Sequence, residues 1–462
     1  MADNPNMEFV ADLHLHSKYS RAVSRDMNLF NMDLWASKKG LDILSTGDWT
    51  HPLWFREIST ELTEDTRGLF KLKNQKNSKT RFLLSVEISS IYSQGGKVRR
   101  IHNLVFSPSL KTCEKINKEL IKRGCNLSSD GRPIIGLSSI QLAELVFSID
   151  KEAMIIPCHA WTPWFSLYGS NSGFDSINEC FGDFAKDIYG VETGLSSDPY
   201  MNWQIKELDT RTLLSSSDAH SMAKMGREAT VFMTKDPNAS KNLTISYLDI
   251  VAAIKQDKDS KLKIGYTIEF YPEEGKYHFT GHRNCNFVQT PGQTKESGKI
   301  CPVCKRPLTV GVMHRVEELA RNPQFSDEVS RLNPNGIKWI IDPNKKHPPF
   351  VKLVPLNEII AESLSSTVAS LKVKNLFDEL CKEFGSELNI LLKTGLKDIE
   401  KFAGERAAEG VEKVRKGEIV ILPGFDGQYG IVKIWDDLPA GRQGKKVSQK
   451  HIDIKDQLGI DF

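Results

Sequence analysis

Residues Ala11 to Ser17 read ADLHLHS. In an extended strand successive side chains alternate faces, so Asp12, His14 and His16 fall on one side and Leu13 and Leu15 on the other. A carboxylate and two imidazoles on one face point to a metal.

Six more short β-rich runs follow in the first half: LDILSTGD from Leu41, RFLLSVEIS from Arg81, RIHNLVFS from Arg100, AMIIPCHA from Ala153, DIYGVET from Asp187 and RTLLSSSDAH from Arg211. Helix-length segments separate them. Seven strands in this arrangement predict an α/β fold with a largely parallel sheet, closed like a barrel. In six of the runs the charged or imidazole side chains sit at or just past the C-terminal end: His14 and His16, Asp48 with His51, Glu87, His159, Glu192, and Asp218 with His220. That end of an α/β barrel carries the active site. His102 is the exception, because it opens its run.

The chain has 11 histidines, and His14, His16, His51, His102, His159 and His220 all belong to this set. A single strand histidine is ordinarily a hydrogen-bonded core residue. Six of them, with Asp12, Asp48, Glu87, Glu192 and Asp218, are too many ionisable groups to bury without a compensating cation. A polynuclear metal site resolves the conflict, with Glu87 as a carboxylate able to bridge two ions. Such a site favours phosphoester hydrolysis, with two-metal amidohydrolase chemistry as the rival.

Composition bounds the rest. A length of 462 residues favours two or three domains, and 39% hydrophobic with 26% charged residues is an ordinary globular balance. No apolar run approaches the roughly 20 residues of a membrane span. MADNPNMEF lacks the features of a signal peptide, so the expected compartment is the cytoplasm. The net charge of +3 does not by itself argue for nucleic acid, and the basic runs Lys71 to Arg81 and Lys97 to Arg100 read as solvated faces. Ser128 to Pro133 is a turn by composition, with a substrate-contacting loop as the sharper alternative.

Of eight cysteines, five are scattered singles that read as buried small hydrophobes. The other three cluster in GHRNCNFVQTPGQTKESGKICPVCKRPL, where His282, Cys285, Cys301 and Cys304 form H-x2-C followed by C-x2-C. This predicts a closed structural zinc, with His278 as an alternative fourth ligand. The helix expected after it, with His314, Arg315, Glu317 and Glu318, reads as a solvated face with local ion pairs. Residues from Pro355 to Gly410 read as helical, with ordinary bundle packing around Gly395 preferred over a helix-turn-helix. GEIVILPGFDGQYGIVKIW reads as a β-hairpin, and the polar end from Leu438 as a tail. The expected division is therefore 1–265, a metal-dependent hydrolase barrel; 266–315, a zinc-knuckle module; and 316–462, a mainly helical region ending in a hairpin and tail.

DLHLHS, GD with His51 close behind, VEIS, IHNLVF, PCHA and SSDAH occur in the order of the metal-binding motifs of the polymerase and histidinol phosphatase (PHP) superfamily, which the first half resembles. The resemblance implies a PHP-type distorted seven-stranded β/α barrel with a di- or trinuclear site for zinc, manganese or magnesium. It implies His14, His16, Asp48, Glu87, His102, His159, Asp218 and His220 as ligands, with Asp218, Glu87 and His159 as the catalytic set. The chain departs from the pattern at Ala22 and Val23, where a further His or Asp is usual, and at Asp48-Trp49, where Asp-His is usual. His51 is the alternative donor there. Asp12 is expected behind the ligands, orienting a histidine. Glu192 is expected to hydrogen-bond a ligand histidine, with a substrate contact as its alternative. Trp161, with Trp49, Trp54, Trp164 and Phe165, is a candidate for stacking on substrate, against core packing.

The order of barrel, knuckle with LTVGVMHRVEELA, and helical segment closing with PGFDGQYG resembles the endonuclease Q family of DNA repair nucleases. This implies hydrolysis of the phosphodiester 5′ to a deaminated base (hypoxanthine, uracil or xanthine) or an abasic site. Damaged DNA is the implied partner, its backbone gripped by Lys and Arg of the knuckle and of 316–462 as a DNA-binding region, beside other DNA repair or replication proteins, with no membrane. The alternatives are a phosphatase for a small phosphomonoester and a PHP-like scaffold that has lost its metals.

Overall fold

The computed structural model describes residues 6–75, 78–239, 243–320 and 329–436, and all seven expected strands form within it. Glu8–Asp12 runs parallel to Ile43–Ser45, which runs parallel to Arg81–Gln94. At Gly95 and Gly96 the chain turns with φ of 61° and 73°, backbone that glycine adopts at least cost, and returns as the antiparallel Lys97–Ser107. Met154–Pro157 is antiparallel to that strand. Gly190–Glu192 and Thr212–Leu214 form a parallel pair. Ala160 N–H donates to the Glu192 carbonyl, and a bridge between Leu15 and Ala219 closes the ring.

The sheet is thus less parallel than the sequence suggests. Lys97–Ser107 opposes both of its neighbours, and this explains why His102 lies early in its run. Its strand points the other way, with His102 opposite Ser89 and Leu104 opposite Glu87, so an early residue reaches the end where the other strands finish.

Leu13 and Leu15, the alternate residues of the opening motif, are buried in two apolar clusters with Leu44, Val86 and Ile88 in one and Ile43, Leu83 and Ile156 in the other. Each such side chain contributes about 1.5–3 kcal/mol on burial. That rigid packing lets the ring hold charged groups at its mouth.

The sheet continues beyond the ring. Ala229–Thr234 is antiparallel to Glu8–Asp12, Leu262–Glu269 pairs with it, and Phe350–Lys352 then pairs with Leu262–Glu269. The expected division after residue 265 therefore falls within a strand that the barrel and the C-terminal part share. Two further strands, Val329–Leu332 and Lys338–Ile341, precede the helices.

Helices Leu356–Ser363, Leu371–Phe384, Glu387–Leu392, Leu396–Ala403 and Glu405–Lys416 pack as a bundle, followed by the hairpin Val420–Leu422 with Ile431–Lys433. Buried Arg415 donates to the carbonyls of Ile390, Leu391 and Thr394 at 2.6–2.8 Å, capping the Glu387–Leu392 helix with positive charge where its dipole is negative. The bundle docks on the barrel helix Leu29–Lys39 through a buried ion pair, Lys39 to Glu387 at 2.7 Å, and through Trp35 against Phe377. The tail expected from Leu438 lies outside the described residues.

Candidate metal centre

Glu87, fully buried on Arg81–Gln94, is the hub of the barrel mouth. Its Oε1 faces His102 Nδ1 at 2.5 Å and His159 Nε2 at 2.9 Å, while Oε2 faces His16 Nε2 at 3.3 Å and His14 Nε2 at 3.9 Å. Asp218 Oδ1 lies 3.1 Å from His16 Nε2 and 3.6 Å from His14 Nε2. His220 joins His16 and Asp218 in a third grouping of donors. One carboxylate thus stands between two sets of imidazoles.

Three buried atoms of this cluster, His14 Nε2, His16 Nε2 and Asp218 Oδ1, make no hydrogen bond. Convergent polar atoms that do not satisfy one another cost free energy unless a cation takes their lone pairs. Imidazole nitrogens with carboxylate oxygens are the donor set of a divalent metal, so the residues fit the expected ions.

The far sides of the two motif histidines are held. Glu192 accepts from His14 Nδ1 at 3.0 Å and from the His159 backbone N–H at 3.0 Å. Asp48 accepts from His16 Nδ1 at 3.1 Å with Oδ1, and from Ser17 N–H, Ser17 Oγ and Ser20 Oγ at 2.6–2.9 Å with Oδ2. Asp48, His159 and Asp218 all have φ between 33° and 50°. Left-handed backbone is uncommon outside glycine and clusters where a site constrains it.

The charges follow from these contacts. Burial opposes protonation of His14 and His16, yet Glu192 and Asp218 around the first, and Asp218 and Asp48 around the second, pull both well above the usual imidazole value. Burial likewise opposes ionisation of Glu87, while His102 and Arg132 hold it well below the usual carboxylate range. Arg132 carries the permanent charge of the two, because burial pushes His102 down to about 4.

Several expectations change. Asp48, expected as a ligand, meets His16, Ser17 and Ser20 with its two oxygens and belongs to none of the donor groupings. His51 occupies the N-cap position of the helix Pro52–Glu61 without a side-chain capping bond and stacks on Tyr19 with 4.5 Å between ring centroids; it belongs to none of the donor groupings. Asp12 does not orient a histidine. Its carboxylate binds Ser217 N–H, Ser217 Oγ and Gly226 N–H, tying down the turn before Asp218, and burial raises it to about 6. Trp161 is buried with Nε1 donating to Asn202, and Trp49 and Trp54 are also core. Only Trp164 and Phe165 remain partly open at the mouth.

Two neighbours of Glu87 escaped the sequence reading. Cys158 Sγ lies 3.5 Å from Oε1, and Arg132 Nη1 lies 3.0 Å from Oε2. Arg132 belongs to the Ser128–Pro133 turn, and nothing local announces a partner 45 residues away.

The second donor cluster gathers His282, Cys285, Cys301 and Cys304 within 4.8 Å of one another. His278 stands apart, buried beside the Pro272 turn. Asn286 and Lys305, both left-handed at φ of 46° and 62°, turn the chain just after each knuckle. Helix Val312–Leu319 then ties this module to the mouth, with Arg315 donating to the carbonyls of Tyr168 and Phe174 and pairing with Asp175. Arg315 is therefore a clamp between modules and not a member of a solvated face. Trp164 packs edge-on against Tyr277 at the same seam.

Among known proteins, residues 355–418 match the family model of the MJ0043 C-terminal domain. The chain is 32% identical over 274 residues to the uncharacterised protein MJ0043 of Methanocaldococcus jannaschii, covering 59% of this chain and 31% of that one. It thus spans about a third of that curated relative. The crystal structure of the lesion-specific endonuclease PfuEndoQ from Pyrococcus furiosus superposes with a TM-score of 0.76 at 30% identity, covering 93% of this chain and 96% of that one. An endonuclease Q complex with a 27-mer duplex carrying an abasic lesion at its active site superposes with a TM-score of 0.76 at 31% identity, covering 93% and 97%.

Proposed function

From its membership of the endonuclease Q family, we propose that this chain is a lesion-specific DNA endonuclease, a metal-dependent hydrolase that nicks the phosphodiester 5′ to a deaminated base or an abasic site. The observation that carries the reading is the Glu87 cluster, where buried imidazoles and carboxylates converge at the mouth of a barrel that matches those enzymes along nearly its whole length.

His14, His16, Glu87, His102, His159, Asp218 and His220 would hold the divalent ions, with Glu87 shared. An imidazole-rich set of this kind suits zinc or manganese better than magnesium. Bound ions would supply an activated water and stabilise negative charge on the phosphoryl oxygens. The chain's own contribution is orientation. Glu192 accepts a hydrogen bond from His14 Nδ1 and Asp48 one from His16 Nδ1, so both rings present Nε2 to the cluster. Asp218 and His220, with side chains 25% and 34% exposed, are the ligands that can also meet substrate.

DNA would lie across the mouth and the zinc module. Support for this placement comes from Arg315 and Trp164, which join the module to the loop around Tyr168. Trp164 and Phe165 are the aromatics open enough to contact a base turned out of the duplex, a step that costs least at a damaged pair. Cys285, Cys301, Cys304 and His282 would hold a structural zinc. None of the eight cysteines is in a disulfide, and we read the compartment as a reducing one such as the cytoplasm. Among the described residues no helix is long and apolar enough to cross a membrane.

The test is a nicking assay on duplexes with one deoxyinosine, deoxyuridine or abasic site, each with zinc, manganese or magnesium. Cleavage of the lesion strand with an intact undamaged control is expected. Inactivity under every metal would overturn the reading.

A further inference from the structure

We propose that Arg132 binds a non-bridging oxygen of the scissile phosphate, supplying a fixed positive charge beside the metal cluster. The inference rests on the endonuclease reading of the site and adds a residue that the ligand motifs do not contain.

The Ser128–Pro133 turn is fastened to the barrel mouth at four points. Gly131 N–H donates to the Tyr19 carbonyl at 3.0 Å, Arg21 N–H to Asp130 Oδ1 at 3.2 Å, Ser89 N–H to the Pro133 carbonyl at 3.0 Å, and Thr50 Oγ1 to the Gly131 carbonyl at 3.3 Å. Asp130 also accepts from Arg132's own N–H at 3.2 Å. Gly131 allows the close approach. A Cβ there would fall 2.4 Å from Asp48 Oδ2 and 2.5 Å from Ser20 Oγ, so the turn sits directly on the group that orients His16.

This fastening aims the guanidinium at Glu87, with Nη1 3.0 Å from Oε2. Nε and Nη2 have no protein partner among the described residues, and neither is a buried unsatisfied donor, so both face solvent. The Arg132 side chain is 26% exposed and Asp218 25%, whereas Glu87, His14 and His16 are at most 1%. An incoming anion would meet Arg132, Asp218 and His220, itself 34% exposed, before the buried ligands. A guanidinium with one edge anchored and its other donors free is preorganised for a phosphate oxygen. Charge of this kind, already in place where negative charge grows in the transition state, needs no reorganisation.

The experiment compares wild type, R132A and R132K, each loaded with metal. Loss of one such donor predicts a fall of about 100-fold in kcat/KM for R132A, with partial recovery in R132K, which keeps the charge and loses the fork. Metal content should equal wild type in both variants, and the slope of log binding against log salt should fall by about 1 for R132A. Inorganic phosphate, titrated calorimetrically into metal-loaded protein, should bind R132A at least about tenfold more weakly. That arm reads Arg132 even if wild type nicks no lesion, an outcome that overturns the lesion reading alone. Unchanged phosphate binding in R132A would overturn the proposal, and so would loss of bound metal in step with activity, which would make Arg132 a support for Glu87.

Discussion

His16 Nδ1 donates to Asp48 Oδ1 at 3.1 Å while His16 Nε2 points at Asp218 Oδ1, 3.1 Å away on the other side of the ring. The imidazole is thus fixed from behind by a carboxylate that does not itself reach the donor cluster. Asp48→Asn keeps the shape and weakens this hold, and groups in such a position typically control metal affinity or activity by about 10–100-fold. We expect a loss of that size, with His16→Ala losing bound metal altogether. Metal analysis and nicking rates on both variants check this; equal losses would return Asp48 to the ligand set.

Glu87→Gln removes the charge shared by both sets of imidazoles. The variant should lose the ions at the mouth and all nicking, yet keep one zinc at Cys285, Cys301, Cys304 and His282. Asp218→Asn should likewise lose cleavage while binding lesion DNA close to wild type. Two or more metals remaining in Glu87→Gln, or retained cleavage in Asp218→Asn, would refute these assignments.

Cys301→Ser opens a tetrahedral site that would otherwise be closed, and such sites supply folding free energy directly. The 280–311 segment should lose protection from proteolysis and DNA affinity should drop. Metal at the barrel mouth should remain, because none of the donors there comes from this module. A variant that keeps wild-type protease resistance would show that zinc does not hold this module.

Glu269 predicts a pH effect. Its carboxyl is buried against Ser215, Thr267 and Thr193, and burial raises it from 4.5 to about 8. Between those values the folded chain keeps a proton that the unfolded chain releases, so stability falls as pH rises from 4.5 to about 8. Glu269→Gln stays neutral and should flatten this decline by a few degrees in Tm, leaving a remainder from Glu228, which burial and Glu269 also raise. Thermal melts across the range, at constant metal, test it; an unchanged slope would place the titration elsewhere.

What could be read from the chain alone was what is local. Alternation in ADLHLHS set two imidazoles on one face, polar residues at strand ends located the mouth, and the H-x2-C and C-x2-C spacings marked the second cluster, because a few residues of separation fix those distances whatever the rest does. The helices after Pro355 and the hairpin before Trp435 were legible for the same reason, through period and turn chemistry. Tertiary structure decided the rest. The reversal of Lys97–Ser107 brought His102 to Glu87; register set Asp48 against His16 Nδ1, Ser17 and Ser20; Glu192 reached across 178 residues to His14; and the turn packed on Asp48 delivered Arg132. Each of these depends on strand direction and register between distant segments. A residue's own neighbours in sequence say which chemistry it carries, but only the packed ring determines which of its atoms faces the site.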